Sequence, residues 1–441
     1  MIITPMEKWI NTKIQNGGCR LTEEKLEKYQ IEAFRGILSY AKERSPFYKD
    51  LLNDFDSTKI ESRDDLYKIP FTTSEDIRLQ GSRMVCVAQG NIHRIVTLDT
   101  SGTTGESKRI YFTKEDQELT IDFFRHGMST FTYPGDKVLI LLPGQTPGSI
   151  GDLLKIGLAR MDVEGIIYGI VDDIDKVMDI IINQEITGIV GIPQQIFTLT
   201  KSEKSDAIRK SGKLKSVLLS TDYVSPSITS IIIKGWGCRV YEHYGMTEMG
   251  LGGGVFCEAL NGYHMRDADM LFEIIDIQTG QPAKDGEYGE VVFTTLTRKG
   301  MPLIRYKTGD ISRFLLDPCR CGTVLKTMDR IQSRIVSLMK LKNGQTISMP
   351  MLEDIIFSIK GILDFTAEIV MDCGRETLKI GVYAIGDKEI IRGNIYEAIK
   401  KSIIGNHIRS GALNIETFMQ GCAEPDIKAI RKRNLIDKRN M

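Results

Sequence analysis

Between Lys137 and Leu219 short apolar runs alternate with helical stretches, and no other feature limits the fold as tightly. Val138 to Leu142 reads as a buried strand, followed by glycines and a helix near 149–160. Gly165 to Val171 reads as a strand, 173–184 as a helix, Gly188 to Ile192 as a strand, 194–202 as a helix and Ser216 to Leu219 as a strand. Strands covered on both faces are apolar throughout, and parallel neighbours need a crossover between them. The rhythm predicts an α/β fold with helices on both faces of a parallel sheet. Ligands of such sheets sit at the carboxyl ends of strands. Pro143-Gly144, Pro193 and Ser220-Thr221-Asp222 stand at those ends.

The flanks read differently. Residues 1–45 read helical: Thr22 is placed to cap a helix, Glu23 and Glu24 suit its positive end, and Ser45-Pro46 stops it. From Leu271 the pattern turns antiparallel, with strands at Leu271 to Ile277, Gly289 to Thr295 and Ile311 to Leu316 and Gly-rich turns between. A boundary falls near 329–337. Beyond it, Met351 to Ile359, Phe365 to Met371, Leu378 to Ala384, Ile390 to Ile404 and Leu413 to Met419 read as helix, strand, strand, helix, strand. The expected division is a large domain over 1–329, holding the helical lead-in and an antiparallel segment over about 271–328, and a small α+β domain over 330–441. At 441 residues the chain exceeds one compact core.

Thr100 to Lys108 reads T-S-G-T-T-G-E-S-K. Glycines let backbone approach a ligand closely, successive N–H groups form an anion-binding concavity, and hydroxyls and a lysine add donors. Ser101, Gly102, Thr103, Thr104, Gly105 and Lys108 thus form a candidate phosphate grip. The spacing is not that of a Walker loop, because Ser107 stands where Gly-Lys is needed. His93 to Thr97 and Arg109 to Thr113 flank the loop as strands, and Thr113 with Asp116 starts the next helix.

Composition excludes several partners. Lys plus Arg and Asp plus Glu are 58 each, for a formal net charge of zero, which argues against nucleic acid and anionic membranes. No signal peptide or run of 18 apolar residues is present, so a soluble cytoplasmic protein is expected. Eight cysteines without a secretory signal suggest thiols or metal ligands. Cys257 with His264, and Cys319 with Cys321, are two short pairs set apart by a longer excursion, as zinc sites are commonly built. Four protein ligands leave no open position, so this zinc is structural.

Further along, Tyr241-Glu-His-Tyr-Gly-Met-Thr-Glu-Met249 sets the Thr247 hydroxyl beside the Glu248 carboxylate, a pairing suited to phosphate and Mg²⁺. Arg305-Tyr-Lys-Thr-Gly-Asp310 ends on an acid after a Gly turn, an acceptor for ribose hydroxyls. Phe123, Phe124, Tyr223, Tyr241 and His243 stand near strand ends as candidate walls for a planar aryl or medium-sized acid. Basic residues cluster in Ile427-Lys-Ala-Ile-Arg-Lys-Arg433.

The order T-S-G-T-T-G, Y-G-M-T-E, R-Y-K-T-G-D resembles the adenylate-forming superfamily of acyl-CoA synthetases, luciferases and peptide-synthetase adenylation domains. S-P-F-Y at 45–48, P-F-T-T-S-E-D-I-R at 70–78, V-F-T-T-L-T at 292–297, M-P-L-I-R-Y-K-T-G-D at 301–310 and C-R-C-G at 319–322 narrow the likeness. They point to the phenylacetate–coenzyme A ligases and their relatives, among them enzymes that transfer AMP to a deazaflavin. The resemblance implies ATP-dependent activation of a carboxylic acid as an acyl-adenylate, then thioester formation with coenzyme A. It implies that Ser101 to Gly105 hold the β- and γ-phosphates and that Thr247 contacts the α-phosphate. Glu248 then binds Mg²⁺, Asp310 holds the ribose and Arg334 adds a ribose or phosphate contact. Tyr244, Gly245 and Met246 belong to the nucleotide motif. Lys428, which begins K-A-I-R, corresponds to the adenylation lysine, with Lys432 as competitor. Some relatives carry a similar C…H…C-x-C set, and the family's small domain swings about the linker near 329–337.

The chain departs from its relatives at three places. Ser333-Arg-Ile-Val-Ser337 lacks the acidic pair that follows Gly-Arg in the hinge. Ser220-Thr-Asp-Tyr223 replaces G-A-E-P along the acyl pocket, and the phosphate loop lacks the proline before its lysine. These departures leave open the acid, the final acceptor (coenzyme A, a carrier protein, an amine or, for AMP, a deazaflavin), a nucleotide-binding scaffold without activity, and self-association as a homodimer.

Overall fold

A computed structural model describes residues 2–15, 17–98, 107–372, 374–420 and 433–439. The chain forms two compact units, one of Met1–Ile167 with Tyr241–Ile331 and the other of Tyr168–Val240 with Gln332–Met441.

In the first unit, helices Pro5–Lys13 and Glu23–Arg44 form the lead-in, and the Thr22 hydroxyl caps the second by accepting from the Lys25 amide. Strands Arg94–Leu98 and Lys108–Phe112 pair antiparallel. Helix Lys114–Met128 follows at once, because Thr113 and Asp116 make a reciprocal capping box that satisfies two amides with no partner inside the helix. Strands Lys137–Leu141 and Glu164–Ile167 pair parallel, with helix Ile150–Ala159 as their crossover. The second of these strands stops at Ile167 and does not reach Val171, because Gly169 turns the chain at φ +99°.

Two antiparallel ladders complete this unit. Strand Gly254–Phe256 pairs with Arg239–Tyr244 on one side and with Tyr263–Met265 on the other, and Tyr263–Met265 pairs onward with Thr327–Met328. Strands Met270–Ile275, Gly289–Thr295 and Tyr306–Ser312 form the second ladder. Its last strand begins at Tyr306, earlier than the expected Ile311, so R-Y-K-T-G-D is not a turn. Its polar residues enter the sheet through a bulge: Gly309 has φ +76°, its amide donates to the Glu290 carboxylate, and the Thr308 hydroxyl donates to the Val291 carbonyl.

In the second unit, strands Gly188–Gly191 and Ser216–Leu219 pair parallel, among helices Ile174–Asn183, Pro193–Leu199, Ser205–Ser211 and Pro226–Trp236. The last two helices are absent from the sequence reading. A four-stranded sheet holds Ile362–Asp372 and Arg375–Ala384 as an antiparallel pair, edged by the parallel strands Asn414–Met419 and Ile436–Lys438. Helices Met349–Ile356, Lys388–Lys401 and Ile404–Arg409 accompany it. Among the described residues no helix is long and apolar enough to cross a membrane.

Candidate active site

Two motifs far apart in sequence are joined by exchanged tyrosines. Tyr244 at the end of strand Arg239–Tyr244 donates its hydroxyl to Asp310 Oδ2 at 2.9 Å, across 66 positions. Tyr306, which opens the strand bearing Asp310, donates to Glu248 Oε1 at 3.1 Å, across 58. Each segment thus supplies one carboxylate and one hydroxyl to the other. All four side chains are buried, so each hydrogen bond replaces water that neither partner can reach.

Glu248 sits in the tight turn Thr247–Met249 and also forms an ion pair with the Lys108 ammonium, at the first residue of the strand Lys108–Phe112. Burial pushes the Glu248 carboxyl up. The charge of Lys108 and the hydrogen bonds from Lys108, the backbone and Tyr306 outweigh burial and hold it below the usual carboxylate range. The result is an ionised, buried carboxylate at the start of a strand whose upstream residues read as a phosphate grip. Lys108 also donates to the Ser74 hydroxyl at 3.3 Å. Thr72 docks its segment beside Tyr306, its amide on the Arg305 carbonyl at 3.1 Å. The P-F-T-T-S stretch thereby braces the strand that bears Tyr306 and Asp310.

Of the candidate pocket walls, the rings of Phe123 and Phe124 lie 6.0 and 6.1 Å from His243. Apolar surroundings pull the His243 imidazole down to about 4. Gly252 lets Phe123 come this close, since a Cβ there would stand 2.3 Å from its Cε1. Tyr241 stacks on Phe131 at 4.3 Å. Tyr223 belongs to the other unit, where its hydroxyl donates to Asp354 at 3.0 Å, and Arg334 forms a short strand with Ser333 in that unit. Ser101 to Gly105, Lys428 and Lys432 lie outside the described residues.

Cys257, His264, Cys319 and Cys321 are buried, with their ligand atoms all within 4.8 Å of one another. The Cys257 and Cys319 sulfurs are 3.5 Å apart, and Cys321 Sγ lies 3.6 Å from His264 Nε2. Metal–sulfur bonds of about 2.3 Å and metal–nitrogen bonds of about 2.0 Å in a tetrahedron demand edges of this length. The donors converge because strand Tyr263–Met265 pairs with Thr327–Met328, setting His264 opposite Thr327. The Gly322 amide closes the knuckle on the Cys319 carbonyl at 2.9 Å, with Gly322 at φ +84°. Beside it, Glu7 accepts from the Thr323 hydroxyl at 2.5 Å and the Val324 amide at 2.9 Å, which ties helix Pro5–Lys13 to the cluster.

Four contributors were not legible as such. Tyr306 stands inside a quoted motif, but its partner is remote. Arg298 directly follows V-F-T-T-L-T, yet its contacts with the Glu248 and Tyr111 carbonyls leave no local trace. Arg266 pairs with Asp269 at 2.8 Å and lies 5.3 Å from the Phe123 ring centre. Glu242, inside Y-E-H-Y, is a buried acid paired with Arg330.

Residues 95–296 match the family described as AMP-binding enzyme, a stretch that carries Lys108, Tyr244, Thr247 and Glu248. The phenylacetate-coenzyme A ligase of Thermus thermophilus is 25% identical over 366 residues, covering 78% of this chain and 78% of that one. That of Escherichia coli is 25% identical over 349 residues, covering 76% of each. A solved structure of 2-hydroxyisobutyryl-CoA ligase, in the postadenylation state with R3-HIB-AMP, shares the fold. Its TM-score is 0.80 at 18% identity, over 95% of this chain and 91% of that one. The motifs, the AMP-binding match over residues 95–296 and the curated relatives together support an adenylate-forming enzyme similar to the phenylacetate–coenzyme A ligases.

Proposed function

We propose that this protein is an acid–coenzyme A ligase. A carboxylate oxygen of the acid attacks the α-phosphorus of ATP, and pyrophosphate leaves. The thiol of coenzyme A then attacks the acyl carbon of the adenylate, and AMP leaves. The observation that carries this reading is the exchanged pair of tyrosines, which hold two buried acids, Glu248 and Asp310, in one unit beside Lys108. Two anions must meet in the first step, so the site needs cations and fixed donors.

In this reading Ser101 to Gly105 hold the β- and γ-phosphates, Thr247 contacts the α-phosphate and Asp310 takes the ribose hydroxyls. Glu248 supplies the hard anionic oxygen that Mg²⁺ prefers. Lys108, now paired with Glu248, is the cation that exchanges partner when polyphosphate and Mg²⁺ arrive. Arg334 adds a nucleotide contact, and Lys428, or its neighbour Lys432, meets the charge developing at the α-phosphate. Phe123, Phe124 and His243 line the acid, and their ring contacts favour a planar aryl or medium-sized substrate. The Cys257, His264, Cys319 and Cys321 donor set suits a structural zinc with no open position.

Pyrophosphate exchange across a panel of carboxylic acids tests the first step, and coenzyme A added afterwards tests the second. Exchange with aryl or medium acids, followed by thioester and AMP release, is expected. No exchange with any acid would refute the reading. Adenylate that forms but does not react with coenzyme A removes its second half.

A further inference from the structure

Arg298 is buried, and its guanidinium spans two separate parts of the nucleotide site. Nη1 donates to the Glu248 carbonyl at 2.6 Å, and Nη2 donates to the Tyr111 carbonyl at 3.3 Å. The guanidinium carbon lies 4.4 Å from the Phe112 ring centre. Tyr111 and Phe112 belong to the strand that Lys108 opens. One planar group therefore joins that strand to the turn bearing Thr247 and Glu248.

Its charge is also unusual. Among the described residues Nε has no hydrogen-bond partner, and the acids Asp116 and Glu248 act on the guanidinium through their charge and not through a hydrogen bond of their carboxylates. Both acids are engaged elsewhere: Asp116 accepts from the amides of Thr113, Lys299 and Gly300 at 3.0, 2.9 and 3.0 Å, and the Glu248 carboxylate holds Lys108 and Tyr306. A buried cation without a direct counter-ion is costly and persists where its position does something that a neutral side chain cannot.

We infer that Arg298 is a positioning residue for adenylation: it fixes the Thr247–Glu248 turn against the Lys108 strand and lends the site a fixed positive charge. This rests on the reading of Glu248 as the Mg²⁺ ligand. Two carbonyls held by one rigid fork cannot drift apart, whereas lysine, with a single ammonium on a flexible stem, does not reproduce the bridge. Displacements near 1 Å in such constellations cost on the order of 100-fold in rate.

The test compares Arg298→Met, Arg298→Lys and Glu248→Gln in two assays: pyrophosphate exchange over a Mg²⁺ titration, and thioester formation from pre-made acyl-adenylate. For Arg298→Met, exchange turnover should fall about 10- to 100-fold. Its Mg²⁺ half-saturation should rise severalfold, while KM for the acid and the thioester step stay near wild type. Arg298→Lys should fall between, and it carries the test alone if the methionine variant does not fold. A merely structural role would lower both half-reactions together without moving the Mg²⁺ dependence, and that result overturns the inference. So does wild-type exchange in either folded variant. An unaltered Mg²⁺ dependence in Glu248→Gln overturns the parent reading instead. An altered one there beside an unaltered one in Arg298→Met overturns only the tie.

Discussion

Glu242 and Glu248 lie on one short stretch, are equally buried, and each face one cation and one tyrosine hydroxyl, yet their carboxyls are driven in opposite directions. Glu248 meets Lys108, whose side chain is 16% exposed, and Tyr306 at 3.1 Å. Glu242 meets Arg330, 33% exposed, at 2.5 Å, and Tyr263 only at 3.4 Å. Burial pushes Glu242 up to about 7, with Arg330 and Tyr263 offsetting part of it. At Glu248 the same burial is outweighed. A cation that shares the acid's shelter is less screened than one facing water, and a shorter hydrogen bond favours the ionised form more. The difference leaves the Glu248 carboxyl below the usual carboxylate range and the Glu242 carboxyl above it.

The largest blow to this contrast reaches Glu242 from outside. Its partner Tyr263 directly precedes His264 of the cysteine cluster. A structural zinc of this kind contributes roughly 10 kcal/mol or more to local folding. Elemental analysis should find about one zinc per chain. Cys319→Ser or strong chelation should remove it, loosen the Glu242–Tyr263 side and release the helix that Glu7 anchors. Trp9 on that helix donates to Asp122 at 2.8 Å and is one of two tryptophans in the chain, so its fluorescence should report the release. Zinc-free protein with unchanged fluorescence and melting refutes the cluster's role.

Next in size is Glu248→Gln, which should lower pyrophosphate exchange by on the order of 10²–10³. Glu242→Gln should leave exchange near wild type. Equal losses in the two variants would erase the distinction between the acids.

A smaller effect is read as stability against pH. The Glu242 carboxyl has a folded value of about 7, raised from an ordinary 4.5, so the folded chain holds this proton more tightly than the unfolded one. Stability from this group is therefore full below about 4.5 and declines as pH rises through about 7. The span amounts to at most about 3 kcal/mol, less what the solvated Arg330 screens. Glu242→Gln should flatten this part of the denaturation profile, and an unchanged profile counts against the assignment.

The smallest change is Tyr306→Phe. Losing one hydrogen bond to a buried carboxylate costs about 1–3 kcal/mol. The Mg²⁺ half-saturation for exchange should rise severalfold, with the thioester step unmoved. If Tyr244→Phe, which frees Asp310 instead, produces the same Mg²⁺ shift, the two exchanged pairs are not distinct in role.

Much of the fold could be read in advance where neighbours in sequence decide it. Thr113 and Asp116 cap a helix three positions apart, and Thr22 caps another through the Lys25 amide. The parallel strands followed from their unbroken apolar runs. The helix Ser205–Ser211 was missed because a serine- and lysine-rich stretch hid its periodicity, and Pro226–Trp236 because three consecutive isoleucines, Ile231 to Ile233, blur a helical period. R-Y-K-T-G-D was misread as a turn because Gly-Asp favours turns, while the bulge that admits it to a strand is set by Glu290 and Val291 on the neighbouring strand. Glycine's preference is local; the bulge is made by tertiary pairing.

The sequence by itself determined the resemblance to the adenylate-forming superfamily, the α/β rhythm and the residue types at Lys108, Thr247, Glu248 and Asp310, because motif chemistry and helix or strand period are properties of adjacent residues. The cysteine and histidine spacing likewise named the members of one cluster before their donors were seen together. Only the tertiary structure decided that Tyr306 serves Glu248 while Tyr244 serves Asp310, that Arg298 ties the turn to the Lys108 strand, and that of two buried glutamates one is held charged. Those outcomes depend on burial, distance and screening between segments dozens of residues apart, and no local pattern encodes them.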